Sequence, residues 1–178
     1  MSFPPLPAGL LIRPLALPDL QALLDIQRAC YGDGYVESAE VFSRRIACPT
    51  QCSLVLEVQG RVMAYLAAYD SMMGKVTRLH GEFEPDPHPD TLYLHDLAVL
   101  PELGGQGMAA RLLRTLWQGA QRRGLQRAAL VSVQGSQGFW QHHGYVAYTL
   151  QDTAQRERLA AYGRDAVYMM RRLDSAPL

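Results

Sequence analysis

The chain has 178 residues, in which 17 Lys and Arg balance 17 Asp and Glu. That is the size of one ordinary domain able to bury a core without staples, and its zero net charge argues against a general nucleic-acid binder, which needs a basic stripe to displace counterions. The start MSFPPLPAGL has no basic leader, and no run of 18 apolar residues occurs, so the protein is expected to be soluble and cytoplasmic, with no membrane contact.

Leu10-Leu11-Ile12-Arg13 is a short apolar strand. Pro18 suits the first turn of a helix running to about Ala29, with Leu20, Leu23, Leu24 and Gln27 on one side. Tyr31-Gly32-Asp33-Gly34-Tyr35 is a turn-rich connection, and Ser38 caps a second helix that stops before Pro49. Cys52 to Val58 and Arg61 to Tyr69 are β-rich and meet at Gln59-Gly60, as in a hairpin. Asp70 to Asp90 carries Pro85, Pro87 and Pro89 without periodicity, which predicts a long loop whose Arg78, His80, Glu82 and Glu84 are mostly solvated, contact with a bound acceptor being the alternative. Cys30, Cys48 and Cys52 are odd in number, lack C-x-x-C spacing and have no companion ligands; they read as reduced thiols, and no metal is expected.

The most informative stretch is Leu92 to Gly124. Leu92 to Val99 is a strand ending before Pro101, followed by Gly104, Gly105 and Gly107. Met108, Leu112, Leu116 and Ala120 then fall four apart, beside Ala109, Leu113 and Trp117, so one apolar stripe faces a core while Arg111, Arg114, Gln118 and Arg122 face away. A helix start exposes unpaired N–H groups and the positive end of its dipole, and no acidic residue occurs between Glu102 and Asp152 to occupy them. The turn is thus open to a phosphate or pyrophosphate. It is neither G-x-x-x-x-G-K-S/T nor a dinucleotide G-x-G-x-x-G with its acidic partner. Ala128 to Val133 is a strand, and Ser136 to His143 a short helix carrying Phe139 and Trp140 and ended by Gly144. Tyr145 to Leu150 and Ala166 to Leu173 are predicted closing strands, separated by a polar helical or loop segment, Gln151 to Arg164.

Gly104-Gly105-Gln106-Gly107-Met108-Ala109 resembles the Q/R-x-x-G-x-G/A loop of the GCN5-related N-acetyltransferase (GNAT) superfamily, and LYLHDLAVLPE resembles its fourth strand. Phe139-Trp140 through Gly144-Tyr145 is similar to its F-Y-x-x-x-G-F segment. Gly104 departs from the family's Gln or Arg, and Trp140 from its Tyr. The resemblance implies a mixed α/β fold over 1–178 as a single domain: a mostly antiparallel central sheet, splayed between strands 4 and 5 and flanked by helices, in the order β-α-α-β-β-β-α-β-α-β-β. It also implies transfer of an acetyl group from acetyl-CoA to a primary amine of a small-molecule or amino-acid-like acceptor by direct attack, in a monomer or homodimer. A protein or peptide acceptor, or a non-catalytic acyl-CoA-binding module, are the alternatives.

Carried onto this chain, the resemblance implies that the backbone of Leu97, Ala98 and Val99 holds the pantetheine, with the Val99 N–H toward the thioester oxygen. Amides of Gly104, Gly105, Gln106, Gly107, Met108 and Ala109 face the pyrophosphate. Tyr31 and Tyr35 fall in a wall of the acceptor pocket. Trp140 stands where the family has a Tyr that protonates the departing thiolate, but an indole N–H donates a hydrogen bond without giving up its proton. Ser136, His142 or hydrogen-bond help alone remain open as its replacement, and His142 and His143 read as exposed helix-end residues.

An alkylammonium acceptor titrates near about 10.4 and must lose a proton. Successive strand residues face opposite ways, so one of His95 and Asp96, not both, should meet the acceptor. His95 is preferred, because an unperturbed imidazole with a pKa of about 6.5 suits a base at neutral pH. Its L-H-x-L-A-V setting is similar to that of arylalkylamine N-acetyltransferases, where the matching His takes part in deprotonation. Asp96 is the alternative base or a dock for a cationic acceptor, and a structural role for both is the third possibility.

Overall fold

Runs rich in Leu, Val, Ala and Tyr form one seven-stranded sheet in the order β1-β2-β3-β4-β5-β7-β6. Its strands are β1 (Leu10–Pro14), β2 (Leu54–Val58), β3 (Arg61–Ser71), β4 (Thr91–Val99), β5 (Arg127–Ser132), β6 (Val146–Ala147) and β7 (Val167–Arg172). The computed structural model describes residues 7–32 and 36–173. Only β4 and β5 run parallel; the other neighbouring pairs are antiparallel. The helices are α1 (Leu20–Tyr31), α2 (Ala39–Ala47), α3 (Met108–Arg122), α4 (Gln137–His142) and α5 (Thr153–Ala160). Ser38 and Asp152 cap α2 and α5, accepting from the N–H groups of Val41 and Gln155. Among the described residues, no helix is long and apolar enough to cross a membrane. Cys30, Cys48 and Cys52 are free thiols.

This is the mixed, mostly antiparallel architecture expected, with α5 supplying the helical version of the Gln151 to Arg164 segment. Two boundaries differ. The strand predicted over Tyr145 to Leu150 shrinks to Val146–Ala147, because the chain turns away from β7 where Arg156 takes the carbonyls of Leu150 and Gln151 at 3.2 and 2.8 Å. Helix α1 runs on to Tyr31 and stops at Gly32, whose φ of 71° ends it. Tyr31 is therefore a helix-end residue and not part of a loop.

The core sits on both sides of β3 and β4. Helix α3 buries Met108, Leu112, Leu113, Leu116, Trp117 and Ala120 and packs on β2, β3 and β4. Helix α1 buries Leu23, Leu24, Ile26 and Gln27 and packs on β3 and β4.

The stretch expected as a long loop over Asp70 to Asp90 is one from residue 72 on, with Arg78, His80 and Glu82 exposed as expected, but its apolar residues fasten it down. Val76, Thr77 and Phe83 are buried, and Phe83 stacks on Tyr69 with ring centroids 4.3 Å apart. The Tyr162 hydroxyl donates to the Thr77 carbonyl at 2.7 Å, Gln155 accepts the Val76 N–H at 2.8 Å, and Arg158 bridges the Val76 carbonyl and Glu84 at 3.0 Å each. Isolated apolar anchors with partners far along the chain leave no periodicity to read, which is why the anchoring does not show in the sequence.

The fully buried Leu112 provides a test of this packing. Leu112→Ala should lower the free energy of urea unfolding by about 2–5 kcal/mol, whereas Gln118→Ala on the exposed face of the same helix should change it by less than about 0.5 kcal/mol.

Candidate functional site

The register between β3 and β4 slips once. Ala67 opposes Asp96 while the next residue, Ala68, opposes Leu94, so His95 is the extra residue of a β-bulge. Simple alternation predicts that only one of His95 and Asp96 meets the acceptor side; the bulge interrupts that alternation and turns both side chains to one side. Asp96 opposes Ala67 and so shares a face with Tyr65 and Tyr69. His95 meets Phe83, which stacks on Tyr69 of the same face.

Beyond the bulge β4 loses one neighbour. It pairs with β5 only from Thr91 to Leu94. The Leu100 N–H donates to the Met63 carbonyl on β3 at 3.0 Å, so Ala98, two residues back, also turns its peptide groups to β3, and Leu97 and Val99 turn theirs to the gap. The carbonyls there face side-chain donors: the Tyr31 hydroxyl lies 2.7 Å from the Leu97 carbonyl and shares its one proton between it and Asp96, and the Cys30 thiol reaches Val99 at 3.4 Å. The N–H groups of Leu97 and Val99 are aimed into the opening.

A 3-10 turn at Pro101–Leu103 leads into the glycine loop. The Gly104 N–H, expected to face an anion, is taken by the Pro101 carbonyl at 2.9 Å, and Gln106 makes a longer bond of 3.4 Å to Leu103. Gly105 and Gly107 have φ of 71° and 75°, a left-handed backbone that a side chain would strain. Gly107 is the N-cap of α3, with no capping side chain and no acid in the first turn. The first backbone bond there runs from Arg111 to Gly107, so the N–H groups of Met108, Ala109 and Ala110 precede the helical ladder. Bare amides on a dipole's positive end fit a diphosphate in both charge and geometry.

Next to the bulge lies a buried ionic cluster. Glu37 and Arg45 are only 7 and 2 % exposed. Arg45 reaches both carboxylate oxygens of Glu37, one at 2.7 Å, and the Gly81 carbonyl at 2.7 and 3.0 Å. Its guanidinium lies 5.4 Å from the ring centroids of both Phe42 and Phe83. His95 Nε2 stands 3.4 Å from Glu37 Oε1, and His80 Nδ1 3.8 Å from the same oxygen. Burial pushes the Glu37 carboxyl up, but hydrogen bonds and charge from His95 and Arg45 prevail and hold it at about 2.

Gln27 joins this cluster to Asp96, accepting the Glu37 N–H at 3.0 Å and donating to Asp96 at 3.3 Å. Asp96 also accepts from the Tyr31 hydroxyl at 2.8 Å and from that of Tyr65. Burial, then the charge of Asp96, pushes the Tyr31 phenol far up, so it stays a neutral donor.

Sequence reasoning missed Glu37, Arg45 and the polar role of Gln27, since their partners are far apart in the chain. One signal was present: Arg45 falls three residues after Phe42 on the buried side of α2, and a guanidinium there requires a carboxylate.

On α4, Trp140 is half-buried and meets Phe139 and Tyr145 edge-on at 4.9 and 5.5 Å. His142 is exposed, but His143 is half-buried against Phe139 at 4.6 Å. Burial, then His142, Arg171 and Arg114, lower its pKa, so it is not the exposed helix-end cation expected. Tyr35 lies outside the described residues. Among those residues, no group of three or more His, Cys, Asp or Glu is placed to hold a metal ion.

Glu37 also dictates a pH dependence. Its folded pKa lies below the ordinary 4.5, so its contribution is complete above about pH 4.5 and is lost as pH falls toward 2. Urea midpoints measured from neutrality downward should drop across that window, and Glu37→Gln should flatten part of the drop.

The sequence profile described as the acetyltransferase (GNAT) family matches residues 20–145. No curated protein matches the sequence. Among solved structures, the ribosomal-protein-S18-alanine N-acetyltransferase of Escherichia coli is 19 % identical, covering 94 % of this chain and 96 % of that one at a TM-score of 0.69. The PaiA N-acetyltransferase of Thermoplasma acidophilum, in complex with coenzyme A, is 14 % identical, covering 92 and 98 % at 0.66. A GNAT family acetyltransferase of Brucella melitensis, in complex with acetyl-CoA, is 17 % identical, covering 95 and 90 % at 0.61. At such identities the likeness is one of fold, while the profile match spans well over half of the sequence: the chain belongs to the acetyltransferase (GNAT) family.

Proposed function

We propose that residues 1–178 act as a single catalytic domain that passes the acetyl group of acetyl-CoA to a primary amine of a small, amino-acid-like acceptor by direct attack. The observation that carries this reading is the bulge at His95, which sets two titratable side chains beside the unpaired β4 backbone. Acetyl-CoA, when bound, supplies an acyl group activated as a thioester. Amides of Met108 and Ala109, with the turn at Gly105, Gln106 and Gly107, would hold its diphosphate, and the backbone of Leu97 and Val99 its pantetheine. The Val99 N–H is the donor for the thioester oxygen, a role that contributes roughly 2.7–4 kcal/mol where such donors are preorganised.

His95 takes the proton of the acceptor amine, directly or through water. Asp96 receives the ammonium form: its donors Tyr31, Tyr65 and Gln27 are neutral, so they leave its charge to attract a cation. Tyr31 lines the acceptor side through the same contacts. Trp140 offers the departing thiolate a hydrogen bond at most. The fastening of residues 72–90 favours a small acceptor over a protein such as the ribosomal-protein-S18-alanine named for the Escherichia coli enzyme.

Saturating acetyl-CoA should raise the melting temperature, since ligand at a hundred times its Kd stabilises by about 2.7 kcal/mol. Thiol release across a panel of amines should then show turnover. His95→Gln should lower the rate roughly 10²–10⁴-fold, and Asp96→Asn should act mainly on the KM for the amine. No rise in melting temperature overturns the reading; binding without thiol release from any amine makes the protein a non-catalytic acyl-CoA binder.

A further inference from the structure

His95 is one member of a pair. The carboxylate facing its Nε2 comes from Glu37, 58 positions away and 3.4 Å distant. Glu37 is itself immobilised: Arg45 reaches both its oxygens, and Arg45 is held by the Gly81 carbonyl and by the rings of Phe42 and Phe83. The His95 side chain is only 6 % exposed, and its ring meets Phe83 at 5.9 Å. An anionic oxygen opposite Nε2 makes that nitrogen the N–H donor and leaves the unshared pair on Nδ1. Arg45 alone satisfies both oxygens of Glu37, so a purely structural ion pair has no need of the histidine.

We infer that Glu37, clamped by Arg45, is the positioning residue for His95: it fixes the tautomer whose lone pair is on Nδ1 and stabilises the imidazolium formed when Nδ1 takes the acceptor's proton. The inference rests on the reading of His95 as the base. In that step an N–H bond of the ammonium breaks, its electron pair stays on the amine nitrogen, a bond forms from the proton to Nδ1, and the positive charge moves to the ring. The proton later leaves to solvent, and nothing is oxidised or reduced. The charged and titratable groups around the ring and its carboxylate include Glu37 from the α1–α2 connection, Arg45 from α2, His80 from the 72–90 segment, Asp96 from β4 itself, and the neutral phenols of Tyr31 from α1 and Tyr162 from just after α5. Arg45 pairs with Glu37, while Asp96 takes only neutral donors.

The test uses Glu37→Gln and Glu37→Asp in the full-length enzyme. Glu37→Gln should lower kcat about ten- to a hundred-fold, by analogy with the carboxylates that orient metal-bound imidazoles, with the KM for acetyl-CoA unchanged. Removing the anion makes the ring harder to protonate, so the acid limb of kcat/KM should move to lower pH. Glu37→Asp, which keeps the charge, should recover part of both changes. In the wild type, ¹⁵N shifts of His95 at neutral pH should show hydrogen on Nε2. A Glu37→Gln enzyme with wild-type kcat and an unmoved acid limb overturns the inference. So does hydrogen on Nδ1 in the wild type, a measurement that needs no variant to fold. If instead His95→Gln retains the full rate, the base assignment fails, whatever tautomer the wild type shows.

Discussion

One extra residue in β4 governs the arrangement of this protein. A strand that kept its register with β3 would present His95 and Asp96 to opposite sides of the sheet and would have no reason to part from β5 after Leu94. The insertion at His95 changes both. It brings an imidazole and a carboxylate to one side, and beyond it the strand diverges from its parallel neighbour, so the peptide groups of Leu97 and Val99 look into a gap. Bulges bend and twist the strand that carries them, and here the same distortion frees backbone at one edge and gathers two titratable side chains on one face.

Two kinds of buried charge surround that distortion. Glu37 and Arg45 form a matched pair inside the protein, and such a pair persists only because each group satisfies the other's lost hydration. Asp96 is different, since hydroxyls and an amide satisfy its hydrogen-bonding capacity without cancelling its charge. The far edge of the sheet offers a contrast in Arg13, which bridges Asp19 and Glu57 at 2.8 and 3.0 Å. That cluster ties β1 to β2 and to the start of α1, with opposite charges meeting directly, and it has the composition of a fastening. A carboxylate held only by neutral donors is suited to meeting something cationic from outside.

What the sequence made legible follows from local physics. The strand, glycine turn and amphipathic helix from Leu92 to Gly124 announce themselves because apolar spacing and a missing acid are properties of adjacent residues. The Gln59-Gly60 hairpin is legible for the same reason, and both residues adopt the positive φ such turns require, 51° and 79°. The bulge is not legible, because it is a relation between two strands, and alternation within β4 alone gives the wrong orientation for one of its two titratable residues. Glu37 is hidden by its distance from His95 along the chain. Gly104 looked like a free donor until the turn at Pro101–Leu103 claimed its N–H, a bond that depends on the local path of the backbone and not on residue type.

The fastening of residues 72–90 to α5 has a further consequence. The wall that faces His95 through Phe83 is held in place by Gln155, Arg158 and Tyr162, residues in or just after α5 and outside the bulged strand. Reshaping of this wall is thereby uncoupled from the bulge. Substitutions on α5 can reshape the wall beside His95 while the bulge, the open backbone and the glycine turn stay as they are, so a new contour there is reachable by small evolutionary steps that leave β4 untouched.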